Sequence, residues 1–220
     1  MSRAALLVLA DGRFPAGGHA HSGGAEPAVR EGRIRDAAGL ADFCRGRLHT
    51  TGLTSAALAA AAALGHDSTE LDRAADARTP SPALRGAARK LGRQMMRAAR
   101  AAWPGPELDA LAAAFPRGTH QPIVLGTAAR AAGLGPYDAA HCIVYETVSG
   151  PATAAVRLLS LDPFQATAVL ARLAPEMDEV AARAAGAAHE GVDALPAASA
   201  PLLDITAEQH ATWPVRLFAS

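Results

Sequence analysis

The sequence predicts an all-α fold, a single-domain multi-helix bundle over residues 1–220, and three observations carry that reading. Nearly every periodic stretch repeats its apolar residues at helical spacing, and none alternates β-branched residues as a strand would. Half of the 220 residues are hydrophobic but only 4% are aromatic, so alanine fills many apolar positions. Alanine is the best helix former, and its small side chain lets helices approach closely. Finally, capping residues recur along the chain, with proline and glycine marking where segments stop.

Taken in order, an apolar run at Ala4–Ala10 follows Arg3. It is short for a signal-peptide core, and no small-x-small cleavage site follows it. Asp36 is placed to N-cap a helix through Leu40, Phe43 and Leu48 toward Leu64. Asp67-Ser68-Thr69-Glu70 has capping-box spacing ahead of a short helix ending near Arg78. Ser81-Pro82 supplies an N-cap and a first-position proline for a basic helix to about Ala102, which Trp103-Pro104-Gly105-Pro106 stops. A short helix over about Glu107–Phe115 and a loop at Pro116–Gln121 come next.

Pro122–Ala132 reads as a helix closed by Gly133. Tyr137, His141, Val144, Tyr145 and Val148 share one helical face, which the pattern turns to the core. Gly150-Pro151 should break or kink that helix, since proline lacks a donor and crowds the preceding turn, with Ala152–Leu161 resuming it. Asp162-Pro163 caps a long helix to about His189, and Gly191–Ser199 is a loose linker. Thr206-Ala207-Glu208-Gln209 offers a capping box for a last helix ended by Trp213-Pro214.

Charge and cysteine usage narrow the function classes. Lys+Arg and Asp+Glu both count 21, so no global field favours nucleic acid or an anionic membrane. The run Ala56–Leu64 is too short to span a bilayer. Cys44 and Cys142 lie far apart without a CxxC, as reduced buried thiols in a cytoplasmic protein do. Arg85, Arg89, Lys90, Arg93, Arg97 and Arg100 form a basic helix face, by default solvated and alternatively a docking face for an acidic partner. A nucleic-acid reading of that face lacks interleaved aromatics and any reader motif.

The most irregular segment is Arg13–Glu26, with two Gly-Gly pairs, a proline, His19, His21, Ser22 and Glu26. The glycines demand tight turns or close backbone approach. GxGxxG, GxxxxGK[ST], GxSxG and HExxH are all missing from it. His19, His21 and Glu26 could serve a metal-dependent hydrolase only if an extended backbone brought them together, and ordinary loop histidines are the stronger reading. At the other end, Val215-Arg216-Leu217-Phe218-Ala219-Ser220 presents an apolar Leu-Phe pair, either packed on its own core or held for a partner.

Three stretches in consistent order resemble the urease accessory protein UreF family. Phe14-Pro15-Ala16-Gly17-Gly18 with His21-Ser22-Gly23-Gly24-Ala25-Glu26 is similar to the family's FPxGGFxHSxGLE pattern. His120–Gly126 through Ala154–Leu159, with Tyr145 inside, is the second, and terminal Arg216–Ser220 is similar to RLFxS. There are departures: His19 stands where the family has an aromatic, and Ser160-Leu161-Asp162-Pro163-Phe164-Gln165 replaces a glutamine-bearing PLGQ-type segment after Arg157. The resemblance implies a helical homodimer without chemistry or a bound cofactor of its own. Its implied partners are a UreD/UreH-like accessory protein, a UreG-like GTPase and apo-urease, with nickel as delivered cargo. It further implies that His21, Ser22 and Glu26 face the GTPase. Arg216, Leu217 and Phe218, in a tail from about residue 202, would dock the UreD-like protein, and Tyr145 and Arg157 match family positions.

Overall fold

Helix α4 (Leu53–Leu64) is so rich in alanine that it can be surrounded on every side, and every residue from Ala56 to Ala63 is buried. In the computed structural model, which describes residues 3–220, α8 (Gln121–Ala131), α9 (Pro136–Leu159) and α10 (Pro163–Ala188) enclose it. The closest approach is at Gly126 of α8, where a Cβ would run into the Ala59 carbonyl oxygen and the Ala62 methyl. Glycine and alanine set that helix separation and allow close van der Waals contact across it.

The outer helices are α1 (Arg3–Ala10), α2 (Ala25–Arg30), α3 (Ala37–Arg47), α5 (Ser68–Ala77), α6 (Pro82–Ala102), α7 (Pro106–Ala114) and α11 (Pro201–Ala211). Among the described residues there is no strand, and no helix is long and apolar enough to cross a membrane. The caps fall where the sequence places them. Asp36 accepts from the Gly39 N–H at 2.8 Å, Asp67 from Thr69 and Glu70 at 2.9 Å, Ser81 from Leu84 at 3.1 Å and Asp162 from Phe164 at 2.9 Å. Gly133 closes α8 with φ 74°.

Four expectations need correction. The helix begun at Asp36 does not run evenly to Leu64: a π-helical turn, Leu48–Gly52, joins α3 to α4. There a Cβ at Gly52 would stand 2.9 Å from the Thr147 methyl of α9, so the turn fits a close crossing. Of the two outcomes expected at Gly150-Pro151, a break or a kink, the break does not occur, and α9 continues through Pro151. Pro151 strips the Thr147 carbonyl of its helical donor, and Arg47 replaces it through Nη1 at 3.4 Å.

The face carrying Tyr137, His141 and Tyr145 is not the core face. Val144 and Val148 are buried, but Tyr145 is 40% exposed, because alanines fill the core stripe where helices approach too closely for rings. Finally, α11 begins at Pro201, a first-turn proline, and Thr206 sits mid-helix with its hydroxyl donating to the Leu202 carbonyl at 2.8 Å. Glu208, expected in that capping box, instead bonds the Ser81 hydroxyl and accepts from the Ala83 N–H at 2.8 Å.

Candidate functional site

Between α1 and α2 the glycine-rich segment folds back on itself. Phe14 stacks on Trp103 with ring centroids 5.8 Å apart and anchors its start. Gly17, Gly23 and Gly24 adopt φ of 84°, 60° and 86°, a region that disfavours side chains. A Cβ on Gly17 would meet the Gln94 amide of α6, and one on Gly23 the Arg47 guanidinium, so a side chain at either would also have to displace the tip of a neighbour.

The chain terminus lies along this loop. The Ala219 N–H donates to the Ala20 carbonyl at 2.7 Å, and the Ser22 N–H donates to the Ser220 carbonyl at 2.6 Å. The Ser22 hydroxyl donates to the same carbonyl at 2.9 Å, and His21 Nδ1 lies 2.6 Å from the Ser220 hydroxyl. Glu26 is the hub. Its carboxylate accepts from the Leu217 and Phe218 N–H groups at 2.8 and 2.9 Å and pairs with His210 Nε2 of α11 at 3.0 Å.

Only 9% of Glu26 is exposed, and that burial alone would raise its pKa. The two N–H groups and His210 more than offset it and hold the carboxyl below the ordinary range. Burial, with Lys90 and His19 nearby, pushes His21 down to about 4, so its ring is neutral at pH 7.

Seven of the eight residues singled out from the sequence thus meet at one place. Phe218 is 5% exposed and packs into the core, with the Arg157 guanidinium 4.9 Å above its ring. Leu217 is 53% exposed, and Arg216 Nη1 donates to the Ala219 carbonyl at 3.4 Å. Tyr145 stands apart on α9, twelve residues before Arg157, or about 18 Å along a helix.

His19 is exposed, while His21 and Glu26 are taken up by the tail. Among the described residues no three His, Cys, Asp or Glu side chains are gathered to hold a metal ion, so the hydrolase set of His19, His21 and Glu26 is not assembled. The sequence does not mark His210, whose Nε2 lies 3.0 Å from the Glu26 carboxylate. It lies 184 residues away, and no local pattern marks the pair.

Behind the loop a cavity of about 460 Å³ opens between α4, α6, α9 and α11. Arg47 and Glu146 face it, and Gln121 Nε2 donates to Glu146 at 2.8 Å. Burial raises the Glu146 pKa, and Arg47 Nε has no hydrogen-bond partner among the described residues. His120 on the same wall pairs with Asp76 at 2.8 Å, and its burial lowers its pKa.

Fold and site define a class: an all-helical protein whose main polar site seats its own terminus. Comparison with known proteins makes this specific. The family model for UreF matches residues 34–174. Proteins named "Urease accessory protein UreF" are 44% identical in Mycolicibacterium vanbaalenii (100% of this chain, 99% of that one) and 42% identical in Mycobacterium marinum (99% and 98%). The namesake of Mycobacterium tuberculosis is 40% identical over 95% of this chain and 94% of its own. The chain belongs to the UreF family of urease accessory proteins.

Proposed function

We propose that this chain is a non-catalytic scaffold for urease maturation, bridging a UreD/UreH-like accessory protein and a UreG-like GTPase during GTP-dependent nickel delivery to apo-urease. It acts in the cytoplasm as a homodimer, and nickel is cargo rather than a resident cofactor. The observation that carries this reading is the clip between the glycine-rich loop and the tail. It joins two segments that the resemblance assigns to partner contact into one continuous surface. Arg216, Leu217 and the 82%-exposed Val215 stand outward from it, ready to meet a partner, while Phe218 keeps the tail in register. His21, Ser22 and Glu26 act by holding that shape, and a partner that takes the tail exposes their polar atoms to its own donors.

Removing residues 216–220 tests it. The truncated chain should keep its helical circular dichroism and lose co-purification with the UreD-like protein. Full-yield co-purification would remove the tail from the interface.

A further inference from the structure

Helix α6 carries two populations of cations. Arg85 donates to the Thr79 and Pro80 carbonyls at 2.7 and 2.8 Å, Arg89 is held by Asp72 and Asp76 at 2.9 and 2.8 Å, and Arg100 pairs with Asp109 at 2.6 Å. Lys90, Arg93 and Arg97 leave the same helix at i, i+3 and i+7, all exposed, and none has a carboxylate partner among the described residues. Among the described residues Arg93 donates one hydrogen bond, to the Arg117 backbone carbonyl at 2.9 Å, which leaves its charge unneutralised. In a chain whose charges cancel overall, this is a local excess of one sign.

These cations line a groove of about 440 Å³ between α6, α7 and the loop before α8. Met96, Phe115 and Pro116 supply apolar surface within it. A merely solvated face needs neither a concave shape nor an apolar floor. Nucleic acid would call for exposed rings to stack on, whereas Phe115 is half-buried and the Arg89 and Arg100 charges are already neutralised from within.

We infer that this groove docks an acidic, aliphatic-bearing peptide segment of a protein partner, its carboxylates on Lys90, Arg93 and Arg97 and its apolar side chains against Met96 and Phe115. Arginine suits the task because its planar fork meets a carboxylate with two hydrogen bonds. Lys90 also borders the cavity beside the tail, whereas Arg93 and Arg97 do not, and the inference does not depend on the function proposed above.

The test is fluorescence anisotropy of a labelled dodecapeptide of alternating glutamate and leucine, with a twelve-residue oligothymidylate as competitor. The double variant Arg93→Glu/Arg97→Glu should weaken peptide binding about tenfold or more, and added salt should weaken it in the parent chain. Arg172→Glu/Arg183→Glu, an equal reversal at exposed sites on α10, should leave binding within about twofold. Melting curves matching the parent show that both variants are folded. Equal losses in the two double variants, no saturable binding by the parent, or displacement of the peptide by the oligothymidylate would each overturn the inference. A chain lacking residues 216–220 should still bind the peptide, which separates this outcome from any failure of the tail.

Discussion

Where α4 crosses α8, little more than alanine methyls separates the two backbones. Where the tail crosses the glycine-rich loop, one carboxylate and a few carbonyls hold it. The core contact is dry, and every residue from Ala56 to Ala63 is buried, so it can open only at the cost of the whole apolar surface. The clip is polar at its centre, with Ser22, Glu26 and His210 buried beneath a tail whose Val215, Arg216 and Leu217 are exposed. Its N–H groups and the Glu26 carboxylate can turn to water or to a partner, each hydrogen bond contributing about 1 kcal/mol net, or 1.5–3 where a charge takes part. The core therefore specifies a shape, and the clip specifies a state that a partner can change.

Gly126→Val should give the largest effect. Its Cβ would meet the backbone oxygen of Ala59, and a rigid carbonyl inside a helix cannot give way as a side chain can. A loss of about 3 kcal/mol or more, read by denaturant melts, is expected. An unchanged midpoint would mean that the α4–α8 crossing is far softer than its packing implies.

Glu26→Ala sharpens the other side of the comparison. It leaves His210 and the Leu217 and Phe218 N–H groups without their acceptor, at a cost of about 2 kcal/mol confined to the tail. Amide exchange should quicken at residues 216–220 and stay slow in α4 and α8. Recruitment of the GTPase should weaken as well. Exchange that rises equally in the core would merge the two regions into one cooperative unit and defeat the distinction.

How much of this the sequence could disclose follows the same divide. The caps at Asp36, Asp67, Ser81 and Asp162 are local chemistry, each settled within three residues, and all stand where they were expected. The turns at Gly17, Gly23 and Gly24 are local too. Pro151 misled because its rescue is remote: the carbonyl it strands is met by Arg47, one hundred residues earlier. Thr206 misled because a well-spaced capping box competes with a first-turn proline, and Pro201 wins. The Glu26 clip spans 191 residues, so hydrogen bonding alone could not predict it, and the family resemblance pointed to its two halves without joining them.

Acid should open the clip gradually, and this is the smallest of the expected effects. His21 has a pKa of about 4 in the clipped loop, against an ordinary value near 6.5, chiefly because burial disfavours its charged form. Between those two pH values the released loop takes up a proton that the clipped loop refuses, so clip stability falls as the pH is lowered from 6.5 toward 4 and is complete at pH 7. Glu26 acts in the same direction at lower pH, because its carboxyl is held below the ordinary range and must be protonated on release. At pH 5.5 the His21 contribution is about 1 kcal/mol once its partial exposure is allowed for. An NMR titration of the Leu217, Phe218 and Ser220 amides should show progressive release across that window. His21→Asn can keep a bond to the Ser220 hydroxyl but cannot titrate, so it should flatten the response above pH 4.5 and leave the steeper loss below it. Tail amides indifferent to pH between 6.5 and 4.5, or equally responsive in the variant, would show that Glu26 and the apolar seat of Phe218 hold the tail without help from His21.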